Sequence, residues 1–148
     1  MEDRHLCKAR PIGTRKQWVT GFYAVLGEKT VIIVCEPEKF YDVDSGKNSH
    51  GNKIVEVIPK TVCQCTGLKD KNGKLIWEND IINGSVKRGA AFYRCLVLWN
   101  ECKARFDVRN MDCNFPMTLD ECTDDISMSG FDYEVVGNIF DNPELLEV

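Results

Sequence analysis

Asp70-Lys71-Asn72-Gly73-Lys74, running on through Leu75-Ile76-Trp77 and Glu78-Asn79-Asp80 into Ile81-Ile82, decides the fold class. Asn and Gly both tolerate positive φ, so the Asn72-Gly73 pair predicts a two-residue type I′ hairpin turn between strands. Beyond it, Leu75-Ile76-Trp77 is a short apolar run closed by a second turn at Glu78-Asn79-Asp80. Ile81-Ile82 then opens a further strand. Short apolar runs cut by turn residues, with no 3.6-residue periodicity, predict a mainly β protein with few short helices.

The pattern holds outward in both directions. Residues 18–26 are rich in β-branched and aromatic side chains, and Gly27-Glu28 turns them into residues 30–35, which reads as a hairpin. Residues 42–52 are polar and read as a loop. Residues 53–58 and 61–65 are the next strands, with Pro59 marking an edge or turn between them. Residues 91–99 and 104–108 form a strand pair, residues 110–129 read as irregular, and residues 133–140 are the last strand. Asn142-Pro143 then starts a final helical turn, with a capping amide and proline at the first position. A boundary at residue 62 divides an N-terminal β lobe, residues 1–62, from a compact barrel-like half, residues 63–148.

The chain has 148 residues, 43% hydrophobic and 28% charged, enough for one ordinary domain or two small lobes. No apolar run is longer than that of Val31-Ile32-Ile33-Val34-Cys35, which is far too short to span a membrane. No secretory pattern opens the chain, so the expected location is the cytoplasm and no membrane partner is expected. The net charge of −4 is unevenly spread. From residue 118 onward there are nine acids and no Lys or Arg, leaving 19 basic against 14 acidic side chains before it. Such polarity suits self-association, the basic part of one copy meeting the acidic region of another.

Eight cysteines without a signal peptide do not read as a disulfide scaffold. Cys63 and Cys65 would share one face of an extended segment and could hold a metal with His50 or neighbouring cysteines. Their spacing fits small buried hydrophobes better, so no metal and no cofactor are expected. Nucleophilic catalysis needs a base, and the only histidines are His5 and His50. The carboxylate pairs Glu78/Asp80 and Asp124/Asp125 sit in turn-rich sequence, where such groups cap or are solvated. Phosphate-cradling glycine loops are absent. The chain therefore reads as a non-enzyme.

Nucleic acid is the alternative partner. Lys69, Lys71 and Lys74 cluster on the hairpin, Lys87 and Arg88 follow, and Arg4, Lys8, Arg10, Arg15 and Lys16 crowd the N-terminus beside Trp18, Phe22 and Tyr23.

Residues 66–82, with Thr66-Gly67-Leu68, Asp70, Asn72-Gly73 and Glu78-Asn79-Asp80-Ile81, resemble the YopX family of phage and prophage proteins. A second block, Glu134-Val135-Val136-Gly137-Asn138-Ile139-Phe140-Asp141-Asn142-Pro143-Glu144-Leu145-Leu146, is similar to that family's closing stretch. Val97-Leu98-Trp99 and Phe106 match an intervening apolar-Trp strand and aromatic. Asn79 replaces a glycine usual before the aspartate. The resemblance implies a β-rich fold with an SH3-like barrel in the second half and a phage or prophage origin. It implies no catalytic residues, and leaves a role in binding another protein as the leading expectation. For Thr66, Gly67, Asn72, Gly73, Asp80, Gly137, Asn138, Asn142 and Pro143, turn, bulge and cap chemistry predicts structural roles.

Overall fold

The computed structural model describes residues 2–13, 17–34, 41–42, 47–48, 53–86, 92–112, 116–119 and 131–147. The protein is mainly β, with thirteen strands and three short 3-10 turns among those residues. It divides into two compact units, Arg4–Gln64 and Cys65–Val148. No helix among the described residues is long and apolar enough to cross a membrane.

In the first unit, β1 (Cys7–Ala9), β2 (Val19–Leu26), β3 (Lys29–Val34) and β6 (Lys53–Glu56) form an antiparallel sheet in the order β6-β3-β2-β1. The β2–β3 hairpin has Leu26 opposite Lys29, so Gly27-Glu28 is a two-residue loop, with Gly27 at φ 64°. Two-residue β4 (Tyr41–Asp42) and β5 (Lys47–Asn48) pair within the stretch read as a loop. Pro59 opens a 3-10 turn, Pro59–Thr61, where its missing N–H costs nothing. Thr61 closes that turn: its hydroxyl donates to the Ile58 carbonyl at 2.7 Å and accepts the Arg10 N–H at 2.9 Å. Ala9, Ile32 and Val57 form a small core, with Val19, Val34 and Val55 packed against it.

β7 (Cys63–Lys69) runs through the division. Its first two residues pair with β1, Cys63 opposite Lys8 and Gln64 opposite Cys7, and from Cys65 onward it pairs with β8 (Leu75–Trp77). In the second unit β9 (Asp80–Val86), β10 (Phe92–Asn100), β11 (Arg105–Asn110), β12 (Pro116–Thr118) and β13 (Phe131–Asn138) form one antiparallel sheet ordered β12-β11-β10-β9-β13. Alternation sends Ile82, Cys95, Val97, Val108 and Tyr133 to one face, where Ile76 and Leu119 join them in the main core. Each aliphatic side chain buried there stabilises the fold by roughly 1.5–3 kcal/mol.

Three expectations change. The turn at Asn72-Gly73 is not a two-residue type I′ turn. Gly73 has φ 80°, but Asn72 is not among the positive-φ residues, and the loop runs from Asp70 to Lys74. The Gly73 N–H donates to the Asp70 carbonyl at 2.9 Å and the Asp70 N–H to the Lys74 carbonyl at 2.8 Å. That is the longer hairpin loop with one left-handed glycine. The Asp70 carboxylate causes the change, because its Oδ1 accepts the Asn72 and Lys74 N–H groups at 2.8 and 2.9 Å. The barrel, secondly, is not seen: β12 and β13 end opposite edges of the five-stranded sheet, and no sheet closes on itself among the described residues. Thirdly, Asn142 precedes the last 3-10 turn, Pro143–Leu146, without a side-chain capping bond; its amide donates to Glu144 Oε1 at 3.4 Å instead.

Candidate functional site

The quoted hairpin is fastened to β13 at its tip. Lys71 N–H donates to the Tyr133 carbonyl at 2.9 Å, Val135 N–H donates to Asp70 Oδ2 at 3.0 Å, and Lys71 Nζ pairs with Glu134 at 2.9 Å. Burial pushes the Asp70 carboxyl up, but the N–H groups of Val135, Lys74 and Asn72 and the Lys74 charge outweigh it and hold the group below its ordinary value. The hydrogen bond from Lys71 to Glu134 raises the lysine. Of the lysines expected to contact nucleic acid, Lys71 is thus paired with a carboxylate of its own chain. Lys69 and Lys74 are exposed and make no ion pair among the described residues. Lys87 and Arg88 lie outside the described residues, as do Arg15, Lys16, His50, Asp124 and Asp125. Trp18 carries Lys8 Nζ and the Arg10 guanidinium, each 5.1 Å from its ring centroid.

The other singled-out residues sit in turns. Thr66 Oγ1 donates to the Ile76 carbonyl at 2.7 Å and accepts the Leu68 N–H at 3.1 Å, around Gly67 at φ 78°. Asp80 Oδ2 accepts the Trp77 N–H at 2.8 Å. A register irregularity separates Val135 from Gly137. Asn138 Oδ1 accepts the Phe140 and Asp141 N–H groups, both at 3.0 Å. Cys63 and Cys65 are both buried on β7; Cys63 Sγ donates to the Thr61 carbonyl at 3.4 Å and Cys65 Sγ accepts the Gly67 N–H at 3.4 Å. No group of three potential metal ligands stands together among the described residues.

Two surfaces emerge that the residue-by-residue reading missed. The first is an open depression of about 470 Å³ on the face of the five-stranded sheet opposite the main core. Alternation places Leu98 and Asn100 of β10, Arg105, Asp107 and Arg109 of β11, and Pro116 of β12 on this face. Asp107 is buried, with Arg105 Nε at 2.8 Å and Asn100 Nδ2 at 2.6 Å on its two oxygens. Its charge is spent inside the sheet, while Arg109 and Lys103 stand exposed at the lip with Glu101. Trp99 and Phe106, directly opposed in register, pack edge to face with ring centroids 4.9 Å apart on the core side. The alternation Arg105-Phe106-Asp107-Val108-Arg109 is the sequence signal for this surface.

The second surface is a row across the first unit's sheet. Phe22 of β2 is opposite Ile33 of β3, which is opposite Ile54 of β6, so the three side chains share one face. Phe22 is 44% exposed and Ile54 56%. Leu26, two pairs along, is 49% exposed on the same face, where Lys29 and Glu56 pair at 3.2 Å.

Fold and surfaces together define a mainly β protein of two antiparallel units. The family model described as YopX protein matches residues 27–147, and the chain belongs to that family. No curated protein matches the chain.

Proposed function

We propose that this YopX protein is a non-enzymatic accessory protein of a phage or prophage that works in the host cytoplasm by binding protein, either a partner or further copies of itself. The observation that carries this reading is the Phe22–Ile33–Ile54 row, half-exposed apolar surface running across three neighbouring strands. The charges on that face neutralise each other in the Lys29–Glu56 pair. An apolar protein surface suits it, and a polyanion does not. The C-terminal unit is read as a relative of the SH3-like barrel, its β7–β8 hairpin folded back onto β13 by the Asp70–Val135 and Lys71–Tyr133 bonds.

The test compares affinity capture from untreated and nuclease-treated bacterial lysate by the wild-type protein and by the Phe22→Ser/Ile54→Ser variant. A discrete protein held by the wild type, resistant to salt and lost by the variant, is the expected result. Equal capture by both, or captures that vanish after nuclease, would overturn it. The second outcome favours the nucleic-acid reading, which retains the unpaired, exposed Lys69 and Lys74.

A further inference from the structure

The face of the first unit that carries the apolar row is complementary to itself. Pairing register lays its side chains out as a grid. β2 contributes Phe22, Ala24 and Leu26, and β3 sets Ile33, Val31 and Lys29 opposite them in turn. β6 adds Ile54 opposite Ile33 and Glu56 opposite Val31. Val31, at the centre, is 3% exposed, while Phe22, Leu26 and Ile54 around it stand half in water. Ile12 extends the patch past β6, its side chain exposed and its N–H donating to the Glu56 carbonyl at 3.1 Å beside the Pro11–Val57 bridge.

Strands lie about 4.8 Å apart, and same-face residues about 6.8 Å apart along each strand. Phe22 and Val31 are diagonal neighbours on that grid. A two-fold axis laid along this diagonal stacks Phe22 on the second copy's Phe22. It sets Ile33 over the second copy's Ala24, a large side chain above a small one, and drops Leu26 between the second copy's Ile54 and Ile12. Lys29 comes within about 3 Å of the second copy's Glu56 position on the same grid. The strands of the two sheets then cross at about 70°, nearer orthogonal than aligned packing. Within one chain the Lys29–Glu56 pair, 3.2 Å apart and largely exposed, contributes little. Across the axis it becomes a cluster of four alternating charges at the rim. Taking roughly 200 Å² for each large side chain, Phe22, Leu26, Ile54 and Ile12 expose about 400 Å² between them. That is about the apolar share of one side of a standard interface, which takes roughly 800 Å² per partner.

We infer that this β2–β3–β6 face is a two-fold interface with a second copy of the chain, Phe22 on the axis and Lys29 against Glu56 at the rim. It rests on the protein-binding reading above and names the partner for that same surface. The contact is isologous, so it closes at two copies. It is mainly apolar, so salt leaves it standing and screens only the rim.

The test is sedimentation equilibrium of the nuclease-treated full chain. Wild-type protein should reach twice 16.9 kDa and go no higher, at about 0.05 M and at about 0.5 M salt alike. Phe22→Ser/Ile54→Ser should be monomeric at both. Lys29→Glu and Glu56→Lys each gather four like charges at the rim and should dimerise about tenfold more weakly at the lower salt. An equimolar mixture of those two should recover wild-type dimerisation, because acids of one copy then face bases of the other; recovery also shows that both variants fold. A monomeric wild type, a mass beyond two copies, a Phe22→Ser/Ile54→Ser variant that dimerises normally, or a mixture without recovery would overturn the inference. So would association that nuclease abolishes. A monomeric wild type that still captures a distinct protein through Phe22 and Ile54 removes the second copy and leaves the protein-binding reading standing. A monomeric wild type whose captures ignore Phe22 and Ile54 removes both.

Discussion

Asp70 Oδ2 accepts the backbone N–H of Val135 at 3.0 Å, joining two residues 65 apart in the chain. The same carboxylate shapes its own loop through Asn72 and Lys74, so one buried side chain sets the hairpin turn and fixes the hairpin to β13. Asp70→Ala strips three N–H groups of their acceptor and should cost about 2–3 kcal/mol in denaturant unfolding. The pH dependence has a definite sign. A carboxyl held below its ordinary value of 3.8 binds protons less readily folded than unfolded. Its contribution is therefore complete above that value and is lost as pH falls through the lower folded value. Asp70→Asn should flatten the acid limb of a stability–pH curve below about pH 4. An unchanged limb would mean that another carboxylate governs it.

Asn79 sits at φ 65°, a left-handed backbone conformation that glycine adopts at no steric cost. Its N–H donates to the Val97 carbonyl at 2.9 Å and its carbonyl accepts the Ile139 N–H at 3.1 Å, so the left-handed residue ties the turn to β10 and to the C-terminal segment. Asn79→Ala should destabilise by about 1 kcal/mol, and Asn79→Gly by clearly less, since the backbone cost belongs to Cβ. Equal losses in thermal unfolding would place the effect in the side chain's contacts instead.

The hairpins at Gly27 and Gly73 were legible because turn chemistry is local. Asn72-Gly73 nonetheless pointed to the wrong turn type, since Asp70 captures the loop's N–H groups and no pairwise rule weighs that competitor. β1 and β12 were missed: Cys7-Lys8-Ala9 and Pro116-Met117-Thr118 are three residues each, without alternation, and become strands only by pairing with β2 and β11. The candidate surfaces were legible only in part. Arg105, Asp107 and Arg109 alternate visibly, but which of them is neutralised depends on Asn100 across the ladder. The Phe22–Ile33–Ile54 row exists only once three registers are known.

Gly21 is read from space rather than from φ. A Cβ there would run into the Ile33 carbonyl and meet Ile32 Cγ2 at 3.0 Å, so β2 and β3 approach at a distance only glycine permits. Gly21→Ala should lower stability by about 1–3 kcal/mol, because the obstacle is backbone and the neighbouring core cannot yield freely. A lower denaturant midpoint at unchanged slope is the expected reading. A wild-type midpoint would mean that the hairpin opens at little cost.

Thr118 offers a gain. It is opposite Asp107 in the ladder and 5% exposed, yet its Oγ1 is buried without a hydrogen-bond partner among the described residues. A hydroxyl in that state forfeits its hydration and recovers nothing, a penalty of about 1–3 kcal/mol. Valine replaces the hydroxyl by a methyl and keeps the β-branched rotamer preference that suits a strand. Thr118→Val should therefore raise stability by about 0.5–1 kcal/mol, less than the full penalty because packing adjusts around the new methyl. Thr118→Ser separates the two effects: it keeps the unpartnered hydroxyl, loses the methyl, and should cost about 1 kcal/mol. If valine destabilises as much as serine, the hydroxyl is satisfied in solution and the site is polar by need.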